Sequence, residues 1–283
     1  MIANQIKNQK NAHYIVTIHN KEDLISDVLM GIQKATENSL FNINIICVLD
    51  GCTDNSEKNI DNCFSSFSDK YKLHKIYEND VHELFSLNSA IKYLKTIETS
   101  KEDLIFFLQD DVVLDDLDLN EYIDQLYQTK ENLGYISFRC GLSTNLDGNN
   151  ILFEHSFLES ECGHWNQLNL NHFHEFKNKE FSFCEIVIKS PTCIKKLILD
   201  EIGLFDENLA PFGHDDLDLS IRLNKKGYKN AIFGVKFKSL LDWGGTRTPK
   251  DPNKDYCVNY NNIVYRNKVY LTEKHADYYQ SKK

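Results

Sequence analysis

The strongest constraint on this chain is an alternation: short apolar runs are each followed by a stretch with helical spacing. After His13–Ile18, the residues Leu24, Ile25, Val28, Leu29 and Ile32 fall on one face and predict an amphipathic helix over about 21–37. Asn20 stands before it, a residue type suited to a helix N-cap. Asn42–Leu49 is a second apolar run, closed by the turn-forming stretch Asp50–Asp54. A helix over about 54–66 and a strand near Leu73–Tyr77 are predicted next. Leu84, Leu87, Ile91 and Leu94 mark a further helix, which leads into the apolar run Asp103–Leu108. Such runs suit parallel strands covered on both faces, and their alternation with helices predicts a doubly wound α/β sheet. Ligands of such sheets sit at the carboxyl ends of the strands. Here those ends carry Thr17–Asn20, Asp50–Asp54 and Gln109–Asp111.

The rest of the chain is less regular. Tyr135–Arg139 and Ser182–Lys189 read as strands on either side of a loop-rich, histidine-containing stretch. Pro191–Gly203 reads as a helix, and a second runs from near Gly213 to about Lys226, with Gly227 as its C-terminal stop. Beyond Pro252 the sequence is polar and tyrosine-rich, with no clear period. No Ser/Gly/Pro-rich linker divides the 283 residues, so one large domain is expected.

Composition removes several classes of function. With 42 acidic against 32 basic residues the formal charge is −10. That argues against a nucleic-acid binder, which needs a basic face, but not against a nucleotide whose charge a divalent metal offsets. No apolar run approaches the ~20 residues of a membrane span, and no basic amphipathic helix marks a membrane-surface binder. The polar start of the chain has no apolar leader, and the eight cysteines form no CxxC pair. Buried free thiols and a cytoplasmic setting are the expectation.

Three acidic constellations carry the chemistry. Asp110 and Asp111 follow an apolar strand directly; adjacent carboxylates repel unless a cation answers them, and Mg²⁺ or Mn²⁺ takes carboxylate oxygens while sharing its shell with phosphates. The plainer reading is a solvated turn. Asp50 ends another strand, where a carboxylate accepts from a nucleobase N–H or a ribose hydroxyl, or else only bonds its own turn. Asp215 and Asp216 open a helix whose dipole favours them; they suit a general base, or simply the start of a helix. The histidine-rich stretch (His155, His164, Trp165, His172, Phe173, His174) lacks the paired spacing of zinc modules. It reads as an acceptor-side loop or as plain surface.

In order along the chain, VTIHNK, VLDGCTDNS, FFLQDDVVL and DEIGLFDENLAPFGHDDLDLSIRLNKKGY resemble the inverting, family-2 nucleotide-sugar glycosyltransferases of the GT-A fold. The resemblance covers about residues 13–235 and is most specific over Asp200–Tyr228. It implies a Rossmann-like single domain with a mostly parallel central sheet flanked by helices. Residues 1–115 would bind the nucleotide-sugar, 116–250 the acceptor and the catalytic base, and 251–283 would form a tail packed on the domain. By position, Thr17, His19 and Asp50 would contact uridine, with Glu22 in support. Asp111 would hold Mn²⁺ or Mg²⁺ at the diphosphate, with Asp110 beside it at the ribose. Asp216 would be the base and Asp215 would orient the acceptor.

This chain departs from the family pattern in places. Gln109 replaces a frequent acidic residue, and the acidic pair is Asp-Asp where Glu-Asp is common. No histidine lies between His214 and His275 to serve as a C-terminal metal ligand, so Asp242 is the substitute candidate. Trp243 could line the acceptor and Arg247 could hold a phosphate; a strand-end Asp, a core Trp and a surface Arg are the plainer readings. The implied partners are a UDP-sugar donor and a glycan or lipid-linked acceptor, the latter bringing peripheral membrane contact. The rivals are a nucleotidyltransferase, although TIHNKEDL lacks a glycine-rich basic loop for triphosphate, and a non-catalytic carbohydrate- or partner-binding domain.

Overall fold

The apolar runs become strands buried on both faces, and the amphipathic stretches become the helices that cover them. The computed structural model describes residues 10–139, 143–144, 150–151, 178–184, 186–187, 191–239 and 260–281. In chain order come β1 (Asn11–Ile18), α1 (Ile25–Thr36), β2 (Asn42–Asp50), α2 (Ser56–Phe64), β3 (Tyr71–Glu78) and α3 (Glu83–Tyr93). Then follow β4 (Leu104–Gln109), β5 (Val112–Leu114), α4 (Leu119–Thr129), β6 (Leu133–Arg139), β7 (Ser143–Thr144), β8 (Asn150–Ile151) and β9 (Phe181–Cys184). The remainder is β10 (Thr192–Lys195), α5 (Lys196–Ile202), α6 (Asp215–Lys225), β11 (Lys229–Gly234), β12 (Phe237–Ser239), α7 (Tyr260–Lys274) and α8 (Ala276–Ser281).

The main sheet has 8 strands in the order β3-β2-β1-β4-β10-β6-β11-β9. The first four are mutually parallel, as is the β6–β11 pair. β10 runs against both β4 and β6, and β9 runs against β11. Thr192 pairs with Phe107 on one side and Ser137 on the other, so Gln109 and Arg139 end at the same edge of the sheet. The backbone N–H of Lys179 donates to Gly234 O at 2.7 Å, while Arg139 pairs with Gly234 from the opposite side. The chain therefore leaves that edge after Arg139 and is back on it at Lys179.

Side chains alternate across the sheet. Tyr14, Val16 and Ile18 face α1, α2 and α4, packing with Ile25, Leu29, Ile60 and Ile123. Ile15, Ile46 and Val48 face the other way, toward Leu84 and Leu87 of α3, Ile198 of α5, Leu217 and Ile221 of α6, and Leu271 of α7. Gly31 lets α1 approach β5 closely: a Cβ there would lie 2.8 Å from Leu114 N. Among the described residues no helix is long and apolar enough to cross a membrane.

Within the first core, Tyr14 stacks on Phe106 with centroids 4.4 Å apart, and its hydroxyl donates to Asn120 Oδ1 at 2.7 Å. Asn120 Nδ2 in turn donates to Ser39 Oγ at 3.1 Å. Asn120→Ala strands the buried Tyr14 hydroxyl and should cost about 1–3 kcal/mol in urea unfolding. Adding Tyr14→Phe should recover part of that loss. An additive pair of losses would show that this hydrogen bond contributes nothing specific.

Three local expectations are corrected. Asn20 does not cap α1: it is left-handed (φ 51°), its Oδ1 accepts from Thr53 N, and the helix begins at Ile25 after a turn at Lys21–Leu24. Residues 191–203 are not all helix. Thr192–Lys195 is a strand because Cys193 and Ile194 fill the gap between β4 and β6, and only Lys196–Ile202 is helical. The aperiodic tail contains two helices, α7 and α8.

Candidate active site

Strand register assembles the acidic edge. Ile18 pairs with Leu49, and Thr17 with both Val48 and Gln109, so His19, Asp50 and the Asp110–Asp111 pair come to the same end of the sheet. The spatial order reverses between β1 and β4, the kind of position at which open α/β sheets bind ligands beyond the strands' carboxyl ends.

Asp50 is 4 % exposed, and its two carboxylate oxygens accept from Val81 N (2.7 Å) and His82 N (2.8 Å). It thereby fixes the entry to α3. Its backbone carbonyl lies 2.6 Å from His19 Nδ1. The turn after it requires glycine: Gly51 has φ +60°, and a Cβ would meet Asp80 Cβ at 2.7 Å. A carboxylate has about four acceptor positions, so Asp50 retains acceptor capacity beyond these two amides.

His19 links Asp50 to the next acid, for its backbone N–H donates to Asp110 Oδ2 at 3.0 Å. Lys21 Nζ stands 3.6 Å from the same oxygen. Burial pushes the Asp110 carboxyl up to about 7; Lys21 and the His19 amide pull it down, while Asp111 and Glu83 push it up. Asp111 is 3 % exposed. Thr17, one strand position below the edge, is nearly buried.

Glu22 is placed differently from its neighbours. Its Oε2 accepts from the backbone and side-chain amides of Asn55, and its own N–H donates to Asp54 Oδ2. It stitches the β1 loop to the β2 loop.

The Gly213–Asp216 turn approaches from the other half of the chain. Gly213 (φ +92°) and His214 (φ +69°) are both left-handed, which turns the chain sharply into α6. Asp215 is buried and Asp216 half-buried, its Oδ1 near Leu217 N at 2.9 Å. The Phe212 ring sits 5.3 Å, centroid to centroid, from the ring of His82, whose amide Asp50 holds. The turn that leads into Asp215 and Asp216 thus touches the Asp50 edge through Phe212 and His82. Asp242, Trp243, Arg247 and the histidine-rich stretch lie outside the described residues.

Several participants escaped the sequence reading. Lys21 and Phe212 lie inside the quoted motifs without an assigned role, and His82 and Glu83 lie outside them; they matter because of where β1, β3 and the α6 entry end. Asp218 did carry a signal, its i,i+4 spacing to Arg222, and it points inward rather than to the edge: 0 % exposed, it accepts from Arg222 Nε at 2.7 Å.

The donors at β4 fit a hard divalent cation. Asp110 and Asp111 offer carboxylate oxygens in a poorly solvated place where two negative charges cost free energy. Among the described residues no cluster of three or more His, Cys, Asp or Glu side chains is placed to hold a metal. Carboxylate oxygens suit a hard ion such as Mg²⁺ or Mn²⁺, which keeps waters and substrate phosphates in its shell.

No family model matches the chain, and no curated protein matches its sequence. Solved structures do match in fold. The mannosyltransferase PcManGT from Pyrobaculum calidifontis, in complex with GDP-Man and Mn²⁺, aligns at TM-score 0.52 and 14 % identity over 83 % of this chain and 59 % of that one. GalNAc-T7 with UDP, GalNAc and Mn²⁺ aligns at TM-score 0.62 and 10 % identity, over 94 % of this chain and 48 % of that one. S. aureus TarS 1-349 in complex with UDP gives 0.52 and 14 %, over 80 % and 57 %. The chain spans roughly half to three-fifths of these proteins' length. At such identities the likeness is one of architecture: this is a mixed α/β single domain of the GT-A type, with a mostly parallel central sheet flanked by helices.

Proposed function

We propose that the chain is an inverting glycosyltransferase that moves a sugar from a UDP-sugar to a hydroxyl of a glycan, polysaccharide or glycolipid. The observation that carries this reading is the continuity of the acidic edge. His19 ties Asp50 to Asp110 on one side, and on the other His82 meets Phe212, in the turn that precedes Asp215 and Asp216. The shared architecture with chains crystallised with UDP or GDP-Man supports it.

Thr17, His19 and Asp50 bind the uridine, with Glu22 bracing their loop through Asn55. Asp110 serves the ribose side and Asp111 holds the cation, for which Asp242 is the further ligand candidate; Arg247 is assigned to the diphosphate. When bound, Mn²⁺ or Mg²⁺ offsets the charge that collects on the departing diphosphate. Asp215 orients the acceptor. The acceptor oxygen bonds to the anomeric carbon as that carbon's bond to the diphosphate oxygen breaks, and UDP leaves with the electron pair. Asp216 takes the acceptor's proton. A carboxylate is a weak base, but it suffices when the proton moves late, after the attacking oxygen has become acidic. One displacement inverts the configuration.

The test is a thermal-shift titration of nucleotide-sugars with and without Mn²⁺, followed by UDP release with an acceptor panel. A ligand at a hundred times its Kd should stabilise the fold by about 2.7 kcal/mol. Asp111→Ala should remove the metal-dependent part of that shift. A UDP shift indifferent to chelator would remove the cation from the proposal, and binding without turnover would leave a non-catalytic module.

A further inference from the structure

Helix α7 does more than cover the sheet. Asn267 is 0 % exposed and its Nδ2 donates to the carbonyls of Leu209 (2.7 Å), Phe212 (2.8 Å) and Gly213 (3.0 Å). Those carbonyls line the turn that delivers His214, Asp215 and Asp216. The Oδ1 of Asn267 accepts from Arg266 Nε and Nη2, and Nη2 also donates to Ala210 O. His214 has a hydrogen bond to the backbone of Val264, again on α7. Consecutive left-handed residues, one of them not glycine, are unfavourable unless their surroundings hold them. Here the surroundings are a single buried amide and its neighbours on α7.

We propose that Asn267 is a positioning residue for the reaction: by holding the carbonyls of Leu209, Phe212 and Gly213 with the two N–H groups of its amide, one of them shared, it sets where Asp216 meets the acceptor. The proposal rests on the glycosyl-transfer reading for its chemistry, though the grip itself does not. A main-chain clamp of this kind acts on geometry alone, and a displacement of about 1 Å at a reacting group can cost on the order of 10²-fold in rate. Asn267 does not touch the uridine edge, so donor binding is independent of it. The lower part of α7 is anchored separately. Tyr270 and Lys274 both donate to Asp206 Oδ2, at 2.7 and 2.6 Å, and Lys274 lies 2.6 Å from Asp218.

The experiment compares the wild-type chain with Asn267→Ala, the milder Asn267→Ser, and Tyr270→Phe. Amide hydrogen exchange over residues 209–218 is read beside kcat, KM and UDP affinity in Mn²⁺. Asn267→Ala should speed exchange across that segment and lower kcat by about 10–100-fold, with UDP affinity within about twofold of wild type. Asn267→Ser keeps one donor and should fall between; it carries the test if the alanine variant does not fold. Tyr270→Phe loosens the same helix elsewhere and should leave kcat unchanged. Unchanged exchange over 209–218 overturns the clamp. Faster exchange at wild-type kcat, or a parallel fall in kcat and UDP affinity, overturns the positioning role. A wild type that transfers no sugar overturns the reaction reading alone, because the exchange comparison still decides the clamp.

Discussion

Replacing Asp216 by asparagine should lower turnover by roughly 10²–10⁴-fold, the range over which a positioned general base contributes. The substitution is nearly isosteric. Its Oδ1 retains the neighbouring Leu217 N–H, which lies 2.9 Å away, so the start of α6 keeps its shape. What disappears is an oxygen able to take a proton. Donor binding should be almost unaffected, because the proposed uridine edge is held at the ends of β1, β2 and β4 by His19, Asp50 and Asp110 rather than from α6. Steady-state kinetics beside UDP titration read both quantities. If UDP affinity fell together with turnover, Asp216 would be a structural residue; wild-type turnover would remove it from the chemistry.

The largest effect on stability should come from Asp218→Ala. This carboxylate is 0 % exposed and meets His275 Nε2 at 2.8 Å, Arg222 Nε at 2.7 Å and Lys274 Nζ at 2.6 Å. Arg222 also donates to the carbonyls of Ile202 and Leu204, so the cluster joins α5, α6 and α7. Removing one member of a buried ion pair leaves the others uncompensated, at a cost of about 3–5 kcal/mol. That is a large share of a typical domain's 5–15 kcal/mol, and thermal unfolding should move down accordingly.

The same cluster sets an acid limit. Burial pushes the Asp218 carboxyl up, but the His275 bond and the Arg222 and Lys274 charges outweigh it and hold the group below the ordinary carboxylate range. Asp206 is lowered as well: burial raises it, and Lys274, Asn208 and Tyr270 more than offset that. A lowered folded pKa gives stability that is complete above the unfolded value of about 3.9 and lost as pH falls toward the folded value. Urea midpoints measured downward from about pH 5 should therefore drop steeply in the wild type and less steeply in Asp218→Ala.

What could be read in advance follows physical lines. The parallel block was legible because a strand buried on both faces must be apolar almost throughout, as β1, β2 and β4 are. Their ends were legible too, since a carboxylate at such an end must be solvated, paired or used. β10 was not, because its few apolar residues after a proline match a helix as well as a strand, and only the gap between β4 and β6 decides. α7 was hidden for a different reason. Its hold on the domain is largely polar, through Asn267, Tyr270, Lys274 and His275, while Tyr265 and Val269 face solvent; no apolar stripe is needed. The α6 pattern of Leu217, Leu219 and Ile221 resisted a single face because that helix is buried nearly all round, with Ser220 and Leu223 also inside.

Arg139 and Lys179 flank the same residue, Gly234, at the level where ligands meet the sheet. For any chain segment that joins two such neighbouring points, doubling its length adds only about 0.6 kcal/mol of closure entropy. A change in the length of the chain between Arg139 and Lys179 is therefore expected to leave the register of the eight-stranded sheet as it is. Chains built on this sheet are thereby open to insertion and exchange at that one place at little thermodynamic cost.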